Sequence, residues 1–494
     1  MAAVVGIDVA TANVRASVVS AAGLLLGQGS HPLAPVSYPL EGWAEQDATT
    51  WWPATCRAVS QALSVAARNS GRAPSIAAVA VSGTSGTVVP VARDGEPLRT
   101  ALMYSDRRAS PQAERARSDA RCGWDRLGLM PQAGFGYPKL LWLAANEPMP
   151  QGWSLCHVPD VVNWKLAGRP APTDWSHALK SGYDPVAGRW TCPWPAPDDG
   201  GCVPPSVLPP GTLVGTVCEA AAADSGLPVG CEIRLGMTDS CAAQLACGAG
   251  GLGSYVSVLG TTLVLKGASS SLLSDPGGAL YSHRHPEGWW LPGGASNTGG
   301  DALSAVPASE LALLDQAASA MGPSTVVQYP LRRHGERFPF VEPAARGFVL
   351  GQPRSGVDAH RSVLEGVAFV ERLGYERMVA LGAAVPGRVM SAGAGGRSVA
   401  WLRIRATVLG RDLELPARSD TAYGAALLAA GSFYGTVTAA SEAMLAPSKV
   451  VEGVPSEAAA LNDSYGRFLE ALASRGWLRD PPPGSISWTG ASNE

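Results

Sequence analysis

Two stretches of the chain repeat one pattern, and that repetition limits the folds open to it more than any other feature. Val4-Val5-Gly6-Ile7-Asp8 is an apolar, β-branched run, Val9-Ala10-Thr11-Ala12-Asn13 turns the chain, and Val14 to Val19 is a second apolar run. This predicts a hairpin. Tyr255 to Leu259, the turn Gly260-Thr261-Thr262, and Leu263 to Lys266 form a second unit of the same kind. Backbone N–H groups and Thr hydroxyls at such tips can cradle phosphate oxygens. An ordinary hairpin with a small-residue turn explains either unit alone, whereas two tips on two halves imply a duplicated architecture. Neither is a Walker loop, because no Gly-Lys dipeptide occurs in the sequence.

Between and beyond the hairpins, helical and extended patterns alternate. Asp47 can cap a helix in which Trp52, Cys56, Val59, Leu63 and Ala66 recur at helical spacing until Gly71. Ile76 to Val81 reads as a strand entering Ser82-Gly83-Thr84-Ser85-Gly86, with Thr87 to Val91 as its continuation. Seven prolines between Trp190 and Gly211 make that segment a loop or connector. Ile233 to Met237 reads as a strand, Thr238-Asp239-Ser240 as a helix start, and Gly248 to Gly253 as a hinge. The alternation predicts an α/β fold. The expected domains are 1–247 and 248–480, followed by a mobile tail over 481–494.

Composition excludes several classes of function. Lys and Arg number 38 against 41 Asp and Glu, a net charge of -3 with no basic stripe, which argues against a nucleic-acid partner and for a small-molecule one. Nine Cys, odd in number and without a C-x-x-C pair, argue against a disulfide framework or a structural zinc, so a reducing cytoplasm is expected. No apolar run reaches the ~18 residues of a membrane span.

Asp239, where a strand passes into a helix of small residues, is placed either to cap that helix or to face a cleft and accept a hydroxyl proton in phosphoryl transfer. Asp8 ends an apolar strand beside a turn, where solvation of the turn and a magnesium-bound water are both open. Arg388 to Ser398 is a third glycine-rich segment, entering a helical pattern from Val399 to Leu409; its glycines would let backbone approach a flat ligand. With Asp412 nineteen residues after Gly393, it also supports a dinucleotide-binding reading, weakened by Ser398 in place of a third glycine. His283 and His285 would share one face of a strand, either as metal ligands or, with no third ligand in spacing, as polar surface. Trp51, Trp52, Trp142 and Trp401 fall in helical patterns, where core packing is the default over sugar stacking.

The order of these motifs resembles the FGGY family of carbohydrate kinases, within the actin-like ATPase superfamily, over nearly the full length. The resemblance rests on Gly6-Ile7-Asp8-x-x-Thr11-x-x-x-Arg15, Gly42-Trp43-Ala44-Glu45-Gln46-Asp47 with Trp51-Trp52, Tyr104-Ser105-Asp106-x-Arg108 and Pro138-Lys139-Leu140-Leu141-Trp142-Leu143. Gly236-Met237-Thr238-Asp239, Gly260-Thr261-Thr262, Gly347 to Gly351, His360-Arg361 with Glu365-Gly366, the Gly393-to-Ser398 cluster and Tyr423-Gly424-Ala425-Ala426 follow in family order. It implies two actin-like (ribonuclease H-like) domains around a central cleft, the first mainly binding sugar and the second mainly ATP with Mg2+.

By the same resemblance Asp239 is the catalytic base, and Asp8, Thr11 and Arg15 belong to the first phosphate hairpin. Gly260, Thr261 and Thr262 face the γ-phosphate, Gly393, Gly395, Gly396 and Ser398 form the adenosine pocket, and Asp8 and Asp239 hold Mg2+ directly or through water. Thr84, Ser85 and Asp106 are the expected sugar contacts. Ala10 stands where the family usually has Gly, and Ser82 to Gly86 where xylulose kinases typically carry a Met-His pair. Thr173 to Asp184, Tyr281 to Arg284 and Gly293 to Gly300 look more like bacterial and plant D-ribulose kinases. The expectation is a cytoplasmic, ATP-dependent kinase of a ketopentose, D-xylulose or D-ribulose, with room for a homodimer. The alternatives are a kinase of another small sugar or polyol, a dinucleotide-dependent oxidoreductase, and a non-catalytic actin-like sugar sensor.

Overall fold

A computed structural model of the chain describes residues 1–195, 201–446 and 448–478, so the expected tail over 481–494 lies outside the described residues. They form two compact units. The first gathers Met1–Ala246, His283–Gly288 and Arg418–Ala446; the second gathers Cys247–Ser282, Trp289–Ala417 and the described residues beyond 447. The sequence boundary after residue 247 takes no account of Arg418–Ala446, which follows most of the second unit in sequence and yet packs within the first.

In the first unit, strand β1 (Ala2–Val9) is buried at every residue but its first, as its unbroken apolar run requires of a strand covered on both faces. It pairs antiparallel with β2 (Asn13–Ser20), the expected hairpin, and β2 pairs with β3 (Leu25–Pro32). Helix α1 (Trp51–Ser70) buries Trp51, Ala54, Ala58, Val59 and Ala62 and stops at Gly71, whose φ of 68° is left-handed. Asp47 accepts the Thr49 N–H, capping a short turn that leads into α1. β4 (Ser75–Gly83), β5 (Leu213–Thr216) and β6 (Glu232–Thr238) complete a sheet of order β5-β6-β4-β1-β2-β3, in which β1, β4 and β6 run parallel. Helix α2 (Asp239–Ala246) leaves β6 without an intervening residue.

The second unit repeats the plan. β7 (Tyr255–Leu259) and β8 (Leu263–Gly267) form the second expected hairpin. β9 (Tyr281–Arg284), whose last two residues are grouped with the first unit, β10 (Trp290–Ala295), helices α3 (Ala308–Met321) and α4 (Gly356–Ala380), β11 (Arg388–Ala392), α5 (Val399–Leu409) and β12 (Asp412–Leu415) follow. With β13 (Lys449–Val451) the sheet order is β9-β10-β8-β7-β11-β12-β13. Each hairpin's first strand therefore has its own return strand on one side and a parallel strand on the other, β4 beside β1 and β11 beside β7. Helix α6 (Thr421–Ala429), buried from Ala422 to Ala429, returns to the first sheet. It lies so close to β1 that a Cβ on Gly6 would stand 1.9 Å from the Ala422 carbonyl oxygen.

Four local expectations differ from the structure. The strand after Gly86 does not continue β4: Gly86 adopts a φ of 85°, and Val88–Val91 joins a separate four-stranded sheet with Ser154–His157. Cys122 and Cys192, with Cα atoms 4.2 Å apart, form a disulfide, one pair that the cysteine spacing does not indicate, while the other seven cysteines remain thiols. The pair is 70 residues apart in sequence, and the Thr191 hydroxyl, donating to the Cys122 carbonyl, draws the two segments together. His283 and His285 are buried, not surface residues. Trp51 and Trp401 are core residues as expected, but Trp52 donates its indole N–H to Asp224 and Trp142 sets its ring edgewise on Trp43. Among the described residues no helix is long and apolar enough to cross a membrane.

Candidate active site

The three parallel strands of the first unit end side by side, since Asp8 is level with Ser82, Val9 with Gly83, and Thr238 with Gly83. Carboxyl ends of parallel strands are where α/β sheets bind ligands. Here each end carries a buried polar atom with no hydrogen-bond partner among the described residues: Asp8 Oδ1 on β1, Ser85 Oγ just after β4, and Thr238 Oγ1 on β6. Such orphans are costly unless a ligand or water satisfies them. Asp239 follows Thr238, is half-exposed, and accepts the Ser240 N–H on Oδ1 at 2.6 Å.

Asp8 is buried, and Arg15 Nη1 stands 3.9 Å from its Oδ2. Burial first, then the charges of Asp239 and Asp420, push the Asp8 carboxyl up to about 7 against the pull of Arg15. An orphaned carboxylate oxygen among further carboxylates fits a hard divalent cation. No three His, Cys, Asp or Glu among the described residues stand together as a ligand set. Asp420 was missed by the sequence reading. It caps α6 by accepting the Tyr423 N–H, and its signal was the acidic residue before the Tyr423-to-Ala426 motif.

Thr11 lies in the β1–β2 turn, where its carbonyl accepts the Gln46 side-chain amide at 2.8 Å; Gln46 also donates to the Ala34 carbonyl and accepts the Trp51 indole N–H. This buried amide, named in the sequence only as part of the Gly42-to-Asp47 motif and with no role assigned, ties the hairpin tip to α1. Thr84 donates to the Thr87 hydroxyl at 2.9 Å, beside the orphaned Ser85. Below them the fully buried Lys139 ammonium donates to the carbonyls of Gly86, Met103 and Gly134, and burial pushes its pKa down to about 7. Asp106, expected as a sugar contact, is fully buried, and both its oxygens are engaged. Oδ2 accepts the Ala44 N–H and Oδ1 the Arg108 N–H, while the Arg108 guanidinium, stacked on Trp43, spans both. As placed, Asp106 holds a loop rather than a ligand.

The glycine and hydroxyl residues of the second unit form a separate group. Gly260, Gly395 and Ser398 line one cavity of about 980 Å3, together with Leu303, Trp401 and Asp315. Ser398 caps α5 through the Trp401 N–H, so the start of that helix borders the cavity. Gly393 has a φ of 87°, and a Cβ there would meet the Leu259 carbonyl oxygen at 2.5 Å, so only glycine brings this loop against the end of β7. Gly396 closes the same turn, its N–H bonding to the Gly393 carbonyl. The Thr261-Thr262 tip is braced by Gly299, Gly300 and Asp301: the Gly300 and Asp301 N–H groups bond to the Gly260 and Thr261 carbonyls. Asp315, set in the cavity wall with His360 Nε2 2.7 Å from its Oδ1, had no signal beyond an acidic residue in an apolar helix.

Comparison with known proteins bears on both groups. Residues 3–246 match the FGGY family of carbohydrate kinases, N-terminal domain, and residues 256–433 match its C-terminal domain. A xylulose kinase of Streptomyces coelicolor is 30% identical over 489 residues, covering 95% of this chain and 96% of that protein. One from Escherichia coli is 28% identical over 461 residues, covering 86% and 89%. The crystal structure of xylulose kinase from Rhodospirillum rubrum superposes with a TM-score of 0.84 at 27% identity, covering 96% of this chain and 99% of that one. Plasmodium falciparum glycerol kinase with ADP, only 14% identical, shares the fold at a TM-score of 0.81, covering 95% of this chain and 98% of that one. The repeated hairpin plan is thus the two-domain actin-like ATPase fold. With both halves matched in order and the likeness running nearly end to end, the chain belongs to the FGGY family of carbohydrate kinases and is a sugar kinase.

Proposed function

We propose that this kinase transfers the γ-phosphoryl group of ATP to the terminal hydroxyl of a ketopentose, D-xylulose or D-ribulose, with Asp239 as general base. The observation that carries the reading is a half-exposed carboxylate at the end of β6, next to buried polar atoms that have no hydrogen-bond partner among the described residues. The hydroxyl gives its proton to the Asp239 carboxylate as its oxygen attacks the γ-phosphorus, and ADP leaves with the bonding electrons. The Ser240 N–H fixes the carboxylate's orientation through Oδ1. Asp8, Thr11 and Arg15 at the first hairpin, with Gly260, Thr261 and Thr262 at the second, serve the phosphates. Gly393, Gly395, Gly396 and Ser398 serve the adenosine. Thr84 and Ser85 offer hydroxyls to the sugar, while Asp106 acts only through the loop it holds. Asp8 and Asp239 would hold magnesium through water, and the bound ion would supply positive charge at the phosphoryl oxygens.

Likeness to xylulose kinases supports the pentulose class. The segments resembling D-ribulose kinases keep that sugar in the assignment. An ATP-consuming sugar kinase belongs to the cytoplasm, where its nucleotide is made. The test is ADP release with D-ribulose, D-xylulose, L-ribulose, L-xylulose, ribitol, xylitol and glycerol, repeated with Asp239→Asn. A ketopentose is expected to give the highest turnover, and loss of the base to lower it by ~10²–10⁴-fold. If no acceptor raises ADP release above background, or the variant matches its parent, the assignment fails and a non-catalytic sensor takes its place.

A further inference from the structure

The ladder between β4 and β6 is interrupted where the candidate site begins: its register shifts between Leu235 and Thr238 before Thr238 pairs with Gly83. Backbone groups released by such an irregularity need other partners. The Met237 N–H turns to Ser82 Oγ at 3.5 Å, and two further groups are held by one short helix, Trp175–Ala178. Ser176 Oγ accepts the Thr238 N–H at 2.9 Å, and His177 Nε2, 3.2 Å from the Gly83 carbonyl oxygen, donates to it.

Both side chains are fully buried and both are set by Asp174. Asp174 Oδ1 accepts the Ser176 hydroxyl at 2.5 Å and the Ser176 N–H at 2.8 Å, and Oδ2 faces His177 Nδ1 at 2.5 Å. Because the hydroxyl proton is committed to Asp174, a lone pair of Ser176 Oγ is left for Thr238. An imidazole that donates from both nitrogens must carry two protons. Burial opposes that charge, but Asp174 and Asp160 outweigh it and hold His177 at about 9. The two backbone groups so fixed directly precede Asp239 on one strand and Thr84-Ser85 on the other.

We propose that Asp174, Ser176 and His177 are positioning residues for phosphoryl transfer: by holding the Thr238 N–H and the Gly83 carbonyl, they fix the base Asp239 relative to the hydroxyls of Thr84 and Ser85. The inference rests on the kinase reading above. Misplacement of a reacting group by ~1 Å costs on the order of 10²-fold in rate. The three residues therefore act on kcat, not on nucleotide binding.

The experiment compares Ser176→Ala, Ser176→Thr and the parent for kcat, KM for ATP and sugar, thermal midpoint, and amide hydrogen exchange over residues 236–241. Ser176→Ala is expected to lower kcat by ~10–100-fold with KM for ATP unchanged. Exchange over 236–241 should quicken, and Ser176→Thr, which keeps the acceptor oxygen, should stand closer to the parent. The inference is overturned if Ser176→Ala turns over like the parent, if its kcat loss comes with an equal rise in KM for ATP, or if Ser176→Thr is no better than Ser176→Ala. In those cases Asp239→Asn still tests the kinase reading separately. If the parent itself shows no sugar-dependent ADP release, the kinase reading fails and the positioning claim falls with it, whereas unchanged exchange in Ser176→Ala beside an active parent ends the positioning claim alone.

Discussion

The carboxyl of Asp8 titrates near neutrality because burial and two neighbouring acids disfavour its charge. In the unfolded chain it ionises near 3.8, so between there and about 7 the folded state holds the extra proton. Its contribution to stability is complete below the unfolded value and is lost as pH rises through the folded one. At ~1.4 kcal/mol per unit, this amounts to about 4 kcal/mol. Asp8→Asn should flatten the fall in urea midpoint between about pH 4 and pH 8 and leave the variant the more stable of the two at pH 8. Parallel slopes for parent and variant would remove Asp8 as the source. Asp8 and Asp239 were legible in the sequence because a carboxylate closing an apolar strand is a local signal. Asp420 was not, since its meaning depends on a helix that returns from far along the chain. Asp106 was read as a ligand contact because nothing in a linear string says that Arg108, two residues on, folds back over both its oxygens.

At the scale of elements, both hairpins and helix α5 stood out because their turns, caps and periodicity are short-range. The break after β4 did not. Thr87 to Val91 is as apolar as the strand before it, and only the left-handed turn at Gly86 sends it to another sheet. Close packing of α6 was equally hidden. Gly424 lies where a Cβ would stand 1.8 Å from the Ala242 carbonyl oxygen of α2, so α6 is wedged between α2 and β1 by missing side chains rather than by large ones. Gly424→Ala must push the two helices apart, a strain of about 1–3 kcal/mol or more. A thermal midpoint lowered by several degrees is expected. Because α2 carries Asp239 at its first position, turnover should fall further than the loss of folded protein explains. An unshifted midpoint would show that the helices accommodate the methyl group.

For the molecule as a whole, a duplicated α/β plan was readable from two similar hairpins, but the path of the chain was not. Composition and periodicity are blind to a segment that crosses from one unit to the other and back, and Arg418–Ala446 does so. A fragment of residues 1–246 contains every strand of the first sheet yet lacks α6, leaving β1 without the helix that lies on it. Such a fragment should melt without cooperativity and bind hydrophobic dye, whereas the full chain should not. A sharp calorimetric transition from the fragment would mean that α6 is dispensable to the first unit.

That crossing also sets an order of events during synthesis. The sheet encoded first cannot be sealed until residue 446 has left the ribosome, so the N-terminal half must wait, partly uncovered, while nearly all of its sister is made. The interval between translating residue 246 and translating residue 446 is thus when the apolar face of that sheet is most open to aggregation.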